Sequence, residues 1–289
     1  MIRGVWIPLV TPFADGAVDL ESYRRLIDYY LAEGATGLFP LGTTGEAPTL
    51  DDDEEDAIIA ATVEAVAGRV PIFVGIGGNA TAKVIRKMER LSRHDFQGIV
   101  SVCPYYNRPT QSGMISHFTA IAGATDRQIL IYNIPYRTSV NLHNETLIQL
   151  AEVPNIVGVK DSSGSIAQSL DLLATCPEDF SVMTGEDPLF ITALCSGASG
   201  GILAAAHIAP SRYVRIAERI AANALDDARS LWRPLQRFIP KLFQEANPMP
   251  IKHCLWRQGL IASRECRLPL QSVSDGLALE LEQMLSTID

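Results

Sequence analysis

Residues 156–160 read Ile-Val-Gly-Val-Lys, a buried-looking apolar run that closes on a cation. The chain's lysines are Lys83, Lys87, Lys160, Lys241 and Lys252, and the other four fall in helix-like or C-terminal segments that solvent can reach. An amine attacks a ketone only when neutral, and an ordinary lysine with a pKa near ~10.4 is about one part in a thousand neutral at pH 7. Apolar burial lowers that pKa by roughly 2–3 units in catalytic lysines, so Lys160 reads as a Schiff-base nucleophile. The competing reading is a structural lysine paired to Asp161 or Glu186. Dehydration of the carbinolamine needs a proton relay, and Tyr132, ending the neighbouring run Ile129–Asn133 at the same level, is placed to supply it. A third feature is the turn Gly42-Thr43-Thr44-Gly45, whose closely spaced amides and two hydroxyls suit an anion. It contains no basic residue, which favours a small carboxylate over a phosphate; a plain tight turn is the alternative.

These residues need a frame that presents strand ends together. Short apolar runs recur at Val5–Val10, Gly37–Leu41, Ile72–Ile76, Gly98–Cys103, Ile129–Asn133, Ile156–Lys160, Ser181–Thr184 and Gly200–Leu203. Helix-period stretches lie between them, including Leu20–Ala32, Glu54–Val66, Thr81–Leu91 and Glu145–Ala151. Continuous apolar strands suit a parallel sheet covered on both faces. An open dinucleotide-binding sheet would show a glycine fingerprint after its first strand, where this chain has Val10-Thr11-Pro12-Phe13; Gly75-Ile76-Gly77-Gly78 lacks the third glycine. Eight repeats without that fingerprint predict an α/β fold, a (β/α)8 barrel over residues 1–222 with its site at the carboxyl ends of the strands. Residues 223–289 read as a helical appendage for packing or oligomer contacts, with Pro234 and Pro240 expected to kink or divide its first stretch.

Over 289 residues, 47% hydrophobic and 20% charged, the composition is that of a globular chain, and a net charge of −9 argues against nucleic-acid binding. The acidic run Asp51–Asp56 is expected to be a solvated helix start. Five scattered cysteines show neither zinc nor CxxC spacing, which predicts reduced thiols and a cytoplasmic setting. No apolar stretch is long enough for a membrane span, and the N-terminus carries no signal-peptide pattern.

Five motifs in order carry a family resemblance: Gly42–Glu46, Tyr105–Gln111, Tyr132–Thr138, Val157–Asp161 and Lys241–Lys252. The chain resembles the dihydrodipicolinate synthases, within the superfamily that includes N-acetylneuraminate lyase, over essentially its whole length. The resemblance implies that Lys160 holds pyruvate as a Schiff base and that Tyr132 orients it and relays protons. It implies that Thr43 links Tyr132 to Tyr106, which reaches into a neighbouring subunit's site, and that Thr43 and Thr44 bind the pyruvate carboxylate. Arg137 matches the arginine that receives the carboxylate of L-aspartate 4-semialdehyde, and Gly185 and Ile202 match positions giving backbone contacts. No metal or other cofactor is implied, and a homotetramer built from dimers is. The threonine pair and Arg137 favour the synthase over the sialate lyases. In feedback-regulated members lysine binds at a dimer interface. Asn79 and Tyr105 match that site, Lys83 stands where a glutamate would, and Asp52 and Glu55 stand where histidines would, so weak or absent inhibition by lysine is expected.

The chain departs from the usual pattern at Leu203-Ala204-Ala205-Ala206-His207 and at Gly185-Glu186-Asp187-Pro188. These departures bear on the second substrate and leave the Schiff base untouched. The rival enzyme reading is a pyruvate-yielding aldolase or dehydratase acting on a 2-keto-3-deoxy sugar acid, for which His207 could bond a polyol, though a structural histidine is the expectation. A non-enzyme reading is a barrel that only senses a carboxylate.

Overall fold

The computed structural model describes residues 1–288. Strand β1 (Gly4–Ile7) is followed by a two-residue-deep antiparallel ribbon, β2 (Phe13–Ala14) with β3 (Ala17–Val18), and then by α1 (Leu20–Ala32). The chain continues as β4 (Gly37–Leu38), α2 (Asp52–Val66), β5 (Phe73–Gly75), α3 (Thr81–Leu91), β6 (Gly98–Val102), α4 (Gln111–Ala122) and β7 (Gln128–Asn133). After α5 (Pro135–Thr138) and α6 (Asn144–Ala151) come β8 (Ile156–Asp161), α7 (Ile166–Thr175), β9 (Ser181–Thr184), α8 (Phe190–Cys195), β10 (Gly200–Ile202) and α9 (Pro210–Ala221). Helices α10 (Leu225–Leu242), α11 (Met249–Arg257) and α12 (Asp275–Leu285) complete the described chain. Eight parallel strands alternating with helices, plus C-terminal helices, make this a (β/α)8 barrel fold. The apolar pattern does not predict the ribbon. Its signal is Asp15-Gly16, both at positive φ (52° and 80°), as a two-residue hairpin turn of the primed type requires.

The chain packs as two compact units, Met1–Arg3 with Phe73–Ile202, and Gly4–Ile72 with Leu203 onward. In the first, β5 to β10 lie side by side in chain order, all parallel. Ile129, Leu130, Ile131, Val159, Val182 and Met183 are buried, as strands covered on both faces demand. Gly158 is required for the close approach of β8 and β9, because a Cβ there would lie 2.2 Å from the Ser181 carbonyl oxygen. Ser165 accepts a hydrogen bond from the Gln168 amide and starts α7, and Thr110 does the same for α4 through Gly113.

In the second unit, β1 pairs with β4, Trp6 opposite Gly37. The indole fills the space of the missing side chain, since a Cβ on Gly37 would sit 2.2 Å from it. Asp51 caps α2 in a reciprocal capping box with Glu54, and Asp52 and Asp53 are solvated as expected; Glu55, in contrast, is buried on the inner face of the same helix. Helix α10 runs unbroken through Pro234 and Pro240, so the stretch is not divided. Its apolar stripe of Ala228, Trp232, Leu235, Phe238, Ile239 and Leu242 is buried, and this packing outweighs the lost backbone bonds. Among the described residues no helix is long and apolar enough to cross a membrane.

Candidate active site

The register of β7 on β8 sets Tyr132 directly opposite Lys160 and Asn133 opposite Asp161. Side chains alternate along a strand, so Lys160 and Asp161 point to opposite faces. Asp161 accepts from the Ser163 amide (3.0 Å) and from the Ser169 hydroxyl, both at the start of the α7 segment. Lys160 is only 6% exposed, and its Nζ lies 4.2 Å from the centre of the Tyr132 ring. Burial lowers the lysine pKa to about 8, against Asp187 and Glu186, which favour the ammonium, and with Arg137, which opposes it. Burial therefore leaves Lys160 less basic than an ordinary lysine, with a larger neutral fraction near pH 7. Burial also pushes the Tyr132 phenol well above its usual value, with Tyr136 adding to the effect and Arg137 and the Ser162 hydroxyl working against it. A phenol that stays protonated near neutrality can donate one proton and accept another. That is what a relay needs.

Gly185 follows β9 and donates its amide to the Asp161 carbonyl (2.8 Å). A Cβ at this position would lie 2.3 Å from the Ser162 Oγ and 2.7 Å from the Lys160 Cε, so the lysine stem uses the room a side chain would take. Glu186 is half-buried; burial and the nearby Asp161 raise its pKa, and Lys160 offsets part of the rise. Ile202 ends β10 and is buried. Arg137 sits on the single turn of α5 with its guanidinium exposed, donating to the Tyr136 hydroxyl (3.3 Å) and lying 5.2 Å from that ring. Its field reaches both Lys160 and Tyr132. Tyr106 is the outlier of the expected set. Its side chain is 90% exposed on a backbone at φ +73°, left-handed for a bulky residue.

Thr43 and Thr44 form a constellation of their own in the second unit. The turn closes through the Gly45 amide to Gly42 O and the Glu46 amide to Thr43 O, both at 3.1 Å, leaving the Thr43 and Thr44 amides outside its internal bonds. Thr11 Oγ1 donates to the Gly45 carbonyl (2.7 Å), and Asn247 Nδ2 donates to Thr44 Oγ1 (2.9 Å). Glu46, buried at φ +53°, ends the turn. Its Oε1 pairs with Lys252 Nζ at 2.5 Å and its Oε2 accepts the Arg267 amide at 2.9 Å. Lys252, expected in solvent, is instead fully buried, compensated by Glu46, by the Glu265 carbonyl (2.8 Å) and by the Phe13 ring 4.2 Å away. Glu46, Asn247 and Lys252 all lie inside the sequence motifs, but nothing in the sequence joins segments 200 residues apart.

His207 is structural. Its Nε2 accepts the Val10 amide (3.2 Å), its Nδ1 is 2.8 Å from the Ala204 carbonyl, and Tyr30 meets the ring edge-on. Burial holds its pKa down to about 4, so the ring is neutral with the proton on Nδ1, and neither nitrogen is left for a ligand. Among the described residues no group of three or more His, Cys, Asp or Glu side chains could hold a metal ion.

Known proteins resemble the chain over its whole length. The sequence profile of the Dihydrodipicolinate synthetase family matches residues 1–288. The chain is 46% identical to 4-hydroxy-tetrahydrodipicolinate synthase 2 of Clostridium acetobutylicum, over 98% of this chain and 99% of that enzyme. It superposes on the crystal structure of dihydrodipicolinate synthase from Thermotoga maritima with a TM-score of 0.96 at 36% identity, covering 100% of this chain and 99% of the other. It is also similar to the Cyanidioschyzon merolae enzyme crystallised with lysine bound, with a TM-score of 0.95 at 32% identity and 99% of each chain covered. A strand-end lysine and tyrosine in register, a threonine turn and full-length similarity to these enzymes place the chain in the dihydrodipicolinate synthetase family.

Proposed function

We propose that the protein condenses pyruvate, held as a Schiff base on Lys160, with L-aspartate 4-semialdehyde to give 4-hydroxy-tetrahydrodipicolinate and water for lysine biosynthesis in the cytoplasm. The observation that carries this reading is the buried Lys160, its pKa lowered to about 8, facing Tyr132 in register. The neutral Nζ attacks C2 of pyruvate, and the carbinolamine loses water with protons passed through Tyr132. Loss of a C3 proton gives the enamine, whose C3 attacks the aldehyde carbon; the amino group of the second substrate then closes onto C2 and releases Lys160. The family runs this chemistry on the lysine adduct, without a metal or other cofactor. Thr43 and Thr44 take the pyruvate carboxylate, Gly185 leaves room for the lysine stem, and Ile202 contributes main-chain contact. Tyr106 completes its relay with Thr43 in a homo-oligomer, a tetramer built from dimers; a bulky residue held in solvent on a left-handed backbone supports a role outside its own chain. His207 lends nothing to a sugar-acid aldolase, because both ring nitrogens are engaged.

Turnover of the purified protein with pyruvate and a panel of aldehydes tests the reading, and aspartate semialdehyde should lead the panel. Arg137→Ala is expected to lower kcat/KM for the semialdehyde through its KM, with the pyruvate KM changed by little. A charge-assisted hydrogen bond is worth about 1.5–3 kcal/mol, so the loss should be roughly 10- to 150-fold. Equal effects on both substrates would show that Arg137 does not receive the second carboxylate.

Lysine is expected to inhibit weakly or not at all. Lys83 is an exposed cation on α3, where the regulated pattern has a carboxylate. At about 4 Å and an effective dielectric near 20, one such contact with the effector's α-ammonium is worth roughly 4 kcal/mol before screening, favourable from a carboxylate and unfavourable from Lys83. Half-maximal inhibition at sub-millimolar lysine would overturn this.

A further inference from the structure

The threonine turn is gripped by a segment that the proposed chemistry does not mention. Asn247 lies just ahead of α11, and its Nδ2 donates to Thr44 Oγ1 at 2.9 Å. The other end of the amide, Oδ1, is buried with no hydrogen-bond partner among the described residues. Turning the amide over would bury an NH2 with two unmet donors in place of one unmet carbonyl, so the observed orientation is the better one. Thr44 is itself only 3% exposed. A hydroxyl that accepts an N–H cannot aim its own proton at that donor. The Thr44 proton is therefore turned away from Asn247 and kept for another acceptor.

The turn cannot swing to escape this grip. Glu46, one residue past the turn, is held by Lys252 at 2.5 Å and by the Arg267 amide at 2.9 Å, and Thr11 holds the Gly45 carbonyl at 2.7 Å. Asn247 and Lys252 come from one stretch of chain, so a single C-terminal segment fixes both the place of the turn and the polarity of its hydroxyl. We propose that Asn247 is a positioning residue for pyruvate. By donating to Thr44 Oγ1, it makes the Thr44 hydroxyl an obligate donor to the substrate carboxylate. This rests on the reading that Thr44 binds that carboxylate.

A double-mutant cycle of Thr44→Val with Asn247→Asp tests it, read as separate KM and kcat values for each substrate. Aspartate has the shape of asparagine, which favours a folded protein, but its carboxylate can only accept and would draw the Thr44 proton to itself. Asn247→Asp should raise the pyruvate KM about tenfold or more, with kcat within a fewfold and the semialdehyde KM unchanged. In the Thr44→Val background the same substitution should change the pyruvate KM less than twofold. Asn247→Ala, which removes the donor without adding charge, should give a smaller rise that also disappears in that background. A penalty from Asn247→Asp that persists in the Thr44→Val background would mean plain charge repulsion and would overturn the proposal. So would a fall in kcat and melting temperature with no change in KM, the mark of a purely structural residue. If Thr44→Val alone leaves the pyruvate KM unchanged, the carboxylate reading of the turn itself fails.

Discussion

Lys160→Met should abolish trapping of a pyruvate adduct by borohydride and lower kcat by at least about a thousandfold, since no other group can form the imine. In the native protein, mass mapping should place the reduced adduct on Lys160 alone. An adduct on Lys252 or Lys241 would sink the assignment. Because burial lowers the Lys160 pKa to about 8, the trapping rate should climb about tenfold per pH unit below that value and level off above it. The same substitution should stabilise the fold. A fall from 10.5 to about 8 is 2.5 units, which at 1.36 kcal/mol per unit is a cost of about 3 kcal/mol for keeping the ammonium buried. A lysine with a depressed folded pKa carries that cost in full below about pH 8 and loses it as pH rises toward 10.5. Lys160→Met should therefore melt above the native protein at pH 7, and the gap should close at alkaline pH. A lower melting temperature at pH 7 would mean the amine is held by an ion pair strong enough to repay its burial.

Lys252→Met should be the most destabilising single change outside the strands. It leaves the Glu46 carboxylate, 3% exposed, without its cation, and breaking one side of a buried pair costs about 3–5 kcal/mol. For a chain of this size that corresponds to roughly 6–20 °C in melting temperature. Adding Glu46→Gln should restore more than half of the loss, because the amide oxygen can still accept from the Arg267 backbone while the orphaned charge is gone. If the double variant melts no higher than Lys252→Met, the pair is not the source of the loss.

The barrel can be read from the sequence because strands buried on both faces are written as continuous apolar runs. Ser181–Thr184 and the helices Leu20–Ala32 and Thr81–Leu91 fall on their expected bounds. Lys160 and Tyr132 are legible for a related reason: polar residues that close neighbouring runs in a parallel sheet arrive at one level, and here they pair directly. The grip on the threonine turn is not legible. Glu46 and Lys252 belong to residue types that normally sit in water, and only the fold reveals that they neutralise each other beside Phe13, with the Arg267 backbone amide taking the second carboxylate oxygen. The β2–β3 ribbon escapes because a two-residue strand has no periodicity to detect, although Asp15-Gly16 carries its turn.

The Glu46 anchorage also has a timetable. Arg267 follows Glu46 by 221 residues. At roughly 5–20 residues per second, a ribosome needs on the order of 10–45 s to deliver it, and Lys252 arrives only shortly before. Throughout that interval the nascent chain carries a carboxylate destined for an apolar interior with neither of its partners yet made. The threonine turn and its anchors belong to one compact unit whose two stretches, Gly4–Ile72 and Leu203 onward, are separated in the chain by residues 73–202, so the turn must wait for the second stretch. A message truncated ahead of codon 252 would thus leave the Glu46 carboxylate with neither its cation nor its amide donor, an uncompensated charge that marks the product for chaperones and proteases.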